Sequence, residues 1–373
     1  MAGPFRGPEK DAGCQPGLPS FGRAFRQTPD SVSPFVPVPV IFAAWLNDLD
    51  PIALHIGRWL QVRWYGIAYV LGFAAAFLYV RHAARRGWSV LPETVAGDFI
   101  TYAALFGVML GGRLGYLLIY DHDAFFSDPT LFFHITKGGM ASHGGIVGLI
   151  LFTLFYALKR RVSWTGLGDL LVVPAPLGIL FGRLANFING ELWGHEAPGL
   201  PWAVKFPAEV LDAEKYPVLS HQAALHVAQT AADPAVAETA LHQAIVERLR
   251  GGDPALEELL QAGLPERHPS QIYEALLEGA LLFALLWWVR TRCQKLPHGI
   301  LTGLFFIGYA VARIIGEIWR VPDPGQVAWF GFLTPGQRYS LPMILIGIAF
   351  IWAARSGRTG WPGSPAPREA AGK

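Results

Sequence analysis

Seven long apolar runs decide which solvent this chain folds in. They are roughly Trp64–Val80, Phe99–Tyr120, Gly144–Leu158, Leu170–Ile188, Ile272–Val289, Ile300–Trp319 and Leu341–Ala353. A helix crosses a bilayer in about 20 residues, or ~17 at the short end. The third and seventh runs fall short of that, so their helices must reach into flanking sequence. Only 16% of the 373 residues are charged and 52% are hydrophobic. An average soluble chain is ~25% charged. The 13 Trp and 24 Phe suit lipid-facing and interfacial surfaces. The expected fold is an all-α polytopic membrane protein with seven transmembrane helices.

Loop charge orients those spans. Basic clusters follow every odd-numbered span: Arg81, Arg85 and Arg86; Lys159, Arg160 and Arg161; Arg290, Arg292 and Lys295; Arg355 and Arg358. Positive loops stay in the cytoplasm. The N-terminus is therefore expected outside and the C-terminus in the cytoplasm. One outer loop is long. Residues 195–268 hold 11 acidic residues against 5 Lys or Arg. Stretches such as PAVAETALHQAIVERL read as amphipathic soluble helices. The loop is expected to be a small extracytoplasmic helical domain inserted in a transmembrane catalytic domain of residues 41–355. Residues 1–40, rich in Pro, Gly and Ser, read as a disordered tail or as the product of an upstream start codon. Residues 356–373 read as a cytoplasmic tail.

Several functions are excluded at this stage. A net charge of +2 leaves no basic footprint for nucleic acid. Cys14 and Cys293 are the only cysteines and are poorly placed for a disulfide or a metal. Ala12-Gly13-Cys14 lacks the apolar stretch that a lipoprotein signal needs. The outer-loop histidines His195, His221, His226, His242 and His268 are scattered, without zinc-ligand spacing. No phosphate loop of nucleotide type and no repeat of 20–50 residues is present. No metal and no cofactor is expected.

The polar residues inside apolar runs carry the functional information. An ionisable group at a bilayer centre costs ~2.5–3.5 kcal/mol even on a mild scale. GRLANFINGELWG, residues 182–194, sets Arg183, Asn186, Asn189 and Glu191 at the outer end of the fourth span. Arg183 and Asn186 share a helix face. Gly190 and Gly194 let backbone approach a ligand. The set reads as a pocket for an anionic group, since a guanidinium fork suits phosphate. In the sixth span Tyr309, Arg313 and Glu317 recur every four residues. Arg313 and Glu317 also read as a self-neutralising pair. His143 stands at the outer start of the third span, and histidine as a residue type, with a reference pKa near ~6.5, suits proton transfer. Tyr65, after Arg63 and Trp64, reads equally as an interfacial aromatic. Arg113 is deep enough to need a partner. In HPSQIYEALLEG, Pro269 suits a first helical turn and Glu274 complements the helix N-terminus. That reading leaves Glu274 with no function to perform. By inferred depth, most of these groups meet near the outer leaflet, in an intramembrane site for an anionic amphiphile.

At this point the chain resembles a family. GRLANFINGELWG is similar to the signature of the prolipoprotein diacylglyceryl transferases. RWYG (63–66), SHGGIVG (142–148), HPSQIYEALLEG (268–279) and YAVARIIGE (309–317) are similar to its other blocks, in order, across about residues 50–355. The resemblance implies transfer of the sn-1,2-diacylglyceryl group of phosphatidylglycerol to the lipobox cysteine of a preprolipoprotein. A thioether would form and glycerol-1-phosphate would leave. It implies that Arg183 binds the phospholipid, that Asn186 is the required Asn, Gly194 the signature Gly and Glu191 the family's Glu, and that His143 and Tyr65 are the reactive-site His and Tyr. It places Arg313 and Glu317, with Tyr309 beside them, in the essential late helix. The chain departs from the signature at Ala185, where Gly is usual, and at His195, where a basic residue is common.

The implied chemistry suits these residues. The acceptor supplies the nucleophile, and a thiol with a pKa near ~8.5 attacks as thiolate. His143 is positioned in sequence to take that proton, but more than one group qualifies as the base. Arg313 does not suit that role, because an arginine guanidinium stays protonated in proteins. Arg183 and Arg313 would stabilise charge growing on the leaving phosphate. The expected partners are phosphatidylglycerol, the lipobox segment and the bilayer. A lipid-binding or flipping protein would use the same arginines without forming a thioether. An intramembrane protease would need a Ser–His dyad, a GxGD aspartate or HExxH, and none is present.

Overall fold

In a computed structural model the described residues are 44–56, 60–133, 139–230, 241–293, 295–322 and 333–357. The readings of residues 1–40, and of the tail from 358 onward, lie outside them. The first three apolar runs fold as α1 (Trp64–Arg85), α2 (Glu93–Ile119) and α3 (Ser142–Arg160), each long and apolar enough to cross a membrane. As its composition requires, the third run extends at both ends. It closes on Lys159 and Arg160, which complement the helix C-terminus, and on Arg161 in the left-handed region at φ 53°. Glycines let α2 and α3 touch backbone to backbone. A Cβ on Gly111 would stand 2.6 Å from the Gly144 carbonyl oxygen. Such small-residue seams are how helices pack closely in lipid.

The fourth run is not one straight helix. It breaks into α4 (Trp164–Val172) and α5 (Ala175–Asn189), bent by 41°. Pro174 and Pro176 lack amide hydrogens, and the residue before a proline avoids helical geometry. Ser163 caps α4 by accepting the Gly166 amide at 3.1 Å. Gly190, at φ 66°, ends α5 in the left-handed region that a residue with a Cβ rarely adopts.

Between α5 and the fifth run lies an insertion with its own core. Its helices α6 (Pro217–Thr230), α7 (Leu241–Arg250) and α8 (Pro254–Gly263) bury Leu219, Ala223, Ile245, Leu256 and Leu260. Asp253 caps α8 through the Leu256 amide at 3.1 Å and pairs with His226 Nε2 at 2.8 Å. His226 is thereby spent on structure.

The last runs give α9 (Ser270–Arg292), α10 (Ile300–Gly316) and α11 (Pro335–Arg355). The seventh run reaches back to Pro335 because Thr334 and Gln337 form a reciprocal capping box. Among the described residues five helices pass the length and hydropathy test for a span, six if α4 and α5 count as one; α10, at 17 residues, is a shorter apolar helix. The protein is therefore mostly helical with five to six candidate spans. Two small sheets correct the all-α expectation: β1 (Trp45–Leu46) runs parallel to β4 (Val204–Lys205), and β2 (Ile52–Ile56) runs antiparallel to β3 (Leu60–Arg63).

The core of the helical body gathers Val80, Phe99, Tyr156, Leu167, Leu170, Leu286 and Leu301. Leu78, Leu151, Leu345 and Trp352 remain exposed on the outer faces, as lipid contact requires. A buried carboxylate stabilises this end. Asp169 of α4 accepts the Gly299 amide, the Thr302 amide and the Thr302 hydroxyl, each at 2.8 Å. It caps α10 from a neighbouring helix, which offsets the cost of burying its charge.

Candidate active site

Three helix faces converge at one end of the helical body. α5 contributes Arg183, Asn186 and Asn189, spaced by three. α9 contributes Gln271, Glu274 and Glu278, with a π-helical stretch Ala275–Leu281 setting the last of them. Such π turns recur at functional sites. α10 contributes Tyr309, Arg313 and Glu317, with Arg320 just beyond.

The charges form one network. Glu274 Oε2 lies 3.1 Å from Arg183 Nε, and Glu274 Oε1 lies 2.5 Å from Arg313 Nη1 and 3.4 Å from Arg320 Nη1. Glu278 reaches Arg183 Nη2 at 3.2 Å and Arg313 Nη1 at 3.3 Å. Arg313 Nη2 also pairs with Glu317. The intrahelical pair read from sequence is therefore real, but it is one edge of a larger set. Three glutamates face three arginines, and their formal charges cancel. The burial is unequal in a useful way. Glu274 and Glu278 are 0% exposed, whereas Arg183 and Arg313 keep 16% and 14%. An arriving anion meets guanidinium edges before it meets any carboxylate.

Glu274 corrects the sequence reading. It does not merely complement a helix N-terminus; it bridges three arginines. Glu278, Arg320 and Gln271 were missed altogether. Glu278 had a signal, a second acid four residues after Glu274 within an apolar run. Arg320 had none, because its approach to Glu274 depends on the turn that follows α10.

A second group sits at the C-terminal end of α5. The Tyr65 hydroxyl donates to Glu191 Oε2 at 2.6 Å and accepts from Asn186 Nδ2. Asn189 Nδ2 donates to Glu191 Oε1 at 3.3 Å, and Gln271 Nε2 to the Glu191 carbonyl at 2.6 Å. Tyr65 is thus more than an interfacial aromatic. It and Asn186 line one end of an apolar cavity of ≈ 420 Å³ that runs between α1, α2 and α5 past Gly72, Ala76, Ala104, Leu171, Gly178 and Gly182. A Cβ on Gly178 or Gly182 would meet nothing within 4 Å. These glycines keep the cavity open and are not demanded by packing.

Not every expected residue joins the site. His143 is exposed in the first turn of α3 and shares no hydrogen bond or ion pair with the network among the described residues. The Tyr309 ring stacks on Phe305 at 5.9 Å on the face that carries Arg313. Arg113 finds its partner in its own loop, donating to the carbonyls of Leu131, Phe132 (3.3 Å) and Gly139 (3.0 Å). His242, partly buried on α7, stands within electrostatic reach of Glu191; burial lowers its pKa from 6.5 and Glu191 opposes that shift. Among the described residues no group of three or more His, Cys, Asp or Glu is arranged to hold a metal ion.

Gly194 has a packing reason to be glycine. Its amide donates to the His268 carbonyl at 3.0 Å, and it bridges to Arg320. A Cβ there would lie 2.5 Å from the Trp319 carbonyl oxygen and 2.7 Å from that of His268. Its own carbonyl accepts Arg267 Nη1 at 3.1 Å, and Arg267 grips Glu209 through both carboxylate oxygens. The signature loop is thus stitched to the starts and ends of the helices that carry the charges. Gly194→Ala should force that junction apart, at a cost of ~1–3 kcal/mol or more as for other overpacked sites. Thermal unfolding of the purified variant checks this, and an unchanged midpoint would contradict it.

Comparison with known proteins decides the family. The family model described as prolipoprotein diacylglyceryl transferase matches residues 51–353. The chain belongs to the prolipoprotein diacylglyceryl transferase family. A phosphatidylglycerol–prolipoprotein diacylglyceryl transferase of Rhodospirillum centenum is 37% identical over 320 residues, covering 85% of this chain and 96% of that protein. Proteins of the same name from Coxiella burnetii (37% over 313 residues, 82% and 96% covered) and Solidesulfovibrio magneticus (38% over 306 residues, 81% and 93% covered) are similar throughout. The bacterial relatives and the apolar helices together make this a multi-pass membrane protein of the transferase class.

Proposed function

We propose that this chain transfers the sn-1,2-diacylglyceryl group of phosphatidylglycerol to the lipobox cysteine thiol of a preprolipoprotein. The observation that carries the reading is one juxtaposition. An apolar cavity sized for acyl chain ends at Tyr65 and Asn186, and Asn186 is one helical turn from the arginine edge of a buried charge network. A phospholipid offers the same sequence of parts: chains, glycerol, phosphate.

The reaction balances without a co-reactant. The acceptor thiol loses its proton, and sulfur attacks the glycerol carbon that bears the phosphate. The C–S bond forms as the C–O bond breaks, and the electron pair leaves on the phosphate of glycerol-1-phosphate. Charge accumulates on that phosphate, where the open edges of Arg183 and Arg313 are already set. Preorganised donors of this kind commonly supply ~10²–10³ in rate. Arg320 and the three glutamates hold both guanidinium groups in place. Gly194 acts through backbone packing, and Asn189 holds Glu191, which orients Tyr65.

His143 takes the thiol proton in this account, from its exposed place at the head of α3. His143→Gln should lower the rate strongly at pH 7 and recover much of it toward pH 9, where more of a thiol with a pKa near ~8.5 ionises unaided. A loss of the same size at every pH would move the proton acceptor to the Tyr65–Glu191 pair.

The proposed topology has seven spans, with α4 and α5 forming the fourth and α10 the sixth. The N-terminus and the 195–268 insertion lie outside, and the tail beyond residue 355 lies in the cytoplasm. Translocated acceptors present their cysteine at the outer leaflet. A reporter fused after Arg358 should report cytoplasm, and one inserted near Pro254 the outside. The reverse pattern would put Arg183, Asn186 and Glu191 on the wrong face for any such acceptor.

A further inference from the structure

Two buried amides above the charge network have an unused acceptor each. Gln271 is 0% exposed and Asn189 is 7% exposed. Gln271 Oε1 and Asn189 Oδ1 have no hydrogen-bond donor among the described residues. Their orientation is not arbitrary. Gln271 Nε2 donates to the Glu191 carbonyl at 2.6 Å, and Asn189 Nδ2 donates to the Glu191 carboxylate at 3.3 Å. Flipping either amide would set oxygen against oxygen. Both remaining atoms are therefore carbonyl oxygens, which accept and cannot donate. A buried acceptor left without a donor is costly, and native proteins seldom retain one without a reason.

Their position narrows what the donor can be. Gln271 precedes Glu274 by about one turn on α9, and Asn189 follows Arg183 by six residues, somewhat under two turns, on α5. Both therefore lie on the outward side of the arginines and converge on Glu191, which holds Tyr65 at the end of the cavity. A phospholipid with its chains in the cavity and its phosphate at Arg183 and Arg313 would project its headgroup there.

We propose that Gln271 and Asn189 form the subsite that reads the hydroxyls of the phospholipid headgroup. The inference rests on the transferase reading and adds to it the residues that choose the lipid. A glycerol headgroup carries two hydroxyls, matching the two acceptors in kind and number. A site built to hydrogen-bond a hydroxyl rejects a ligand lacking it far more strongly than an apolar pocket rejects a small change of shape.

The test compares two donors, phosphatidylglycerol and phosphatidylpropanol, which differ only in the two hydroxyls. With a lipobox peptide as acceptor, the unmodified protein should favour phosphatidylglycerol in kcat/KM by about tenfold or more, as expected when buried polar groups lose their partners. In Gln271→Met and Asn189→Leu that ratio should fall toward one. The ratio cancels any loss common to both lipids, such as a loosened Glu191, which a merely structural role would produce. Equal use of both lipids by the unmodified protein overturns the proposal, and so does an unchanged ratio in the variants. If Gln271→Met does not fold, the unmodified protein and Asn189→Leu still decide the matter. Failure of the transferase reading looks different, because no thioether would form from either lipid.

Discussion

Arg183→Lys should leave the protein folded and cost about 100-fold or more in transfer. Lysine keeps a positive charge beside Glu274 and Glu278, which lie 3.1 and 3.2 Å from the guanidinium. It does not keep the planar fork, so one ammonium cannot hold two carboxylates and also meet a phosphate. The loss follows from an interaction made most strongly with the leaving phosphate. Arg183→Ala should abolish transfer as well, but it also takes one arginine partner from each of two buried carboxylates. Removing a partner from a buried ion pair destabilises the fold, by up to ~3–5 kcal/mol where nothing else compensates the charge. Lysine is therefore the cleaner variant. The check is kcat/KM for phosphatidylglycerol beside a thermal unfolding curve in detergent. Near-normal transfer by the lysine variant would remove Arg183 from the phosphate site.

Glu274→Gln should be nearly as damaging, for the opposite reason. Glu274 contacts Arg183, Arg313 and Arg320. Neutralising it leaves three arginines facing two glutamates. The unfolding midpoint should fall, since one buried charge loses compensation. Turnover should drop by about tenfold or more while inhibition by glycerol-1-phosphate strengthens, because freed guanidinium edges hold the product. Unchanged turnover and unchanged product inhibition would reduce Glu274 to the helix-end role that its sequence position suggests.

That contrast shows where sequence reasoning reached and where it stopped. Arg183, Asn186, Asn189 and Glu191 were legible because each violates the apolar pattern of its run, and lipid gives a polar group no neutral option. Glu274 violates a pattern too, but a local explanation at the helix end was complete in itself. Its three arginines come from distant parts of the chain. Glu278 depends on a π turn that shifts the helical register, and period-based reading assumes none. Gly194 was marked by its motif, yet its steric reason appears only where the backbone segments around residues 194, 268 and 320 meet. Pro174 and Pro176 announced the break in the fourth run, which length alone had joined. The capping box of Thr334 and Gln337 lies outside the apolar run it starts, so the seventh helix was bounded too late. His143 is the reverse case: its motif is plain, and its side chain stands apart from the network that the other residues share.

The most direct test of the account uses purified protein in bilayers of phosphatidylglycerol labelled in the headgroup glycerol, with a lipobox peptide as acceptor. Mass spectrometry of the peptide and the released label are followed together. The expected result is a peptide heavier by one diacylglyceryl group, resistant to thioester-cleaving reagents, with one glycerol phosphate released per peptide modified. Labelled lipid that changes leaflet with no modified peptide would contradict it, as would glycerol phosphate released without a thioether.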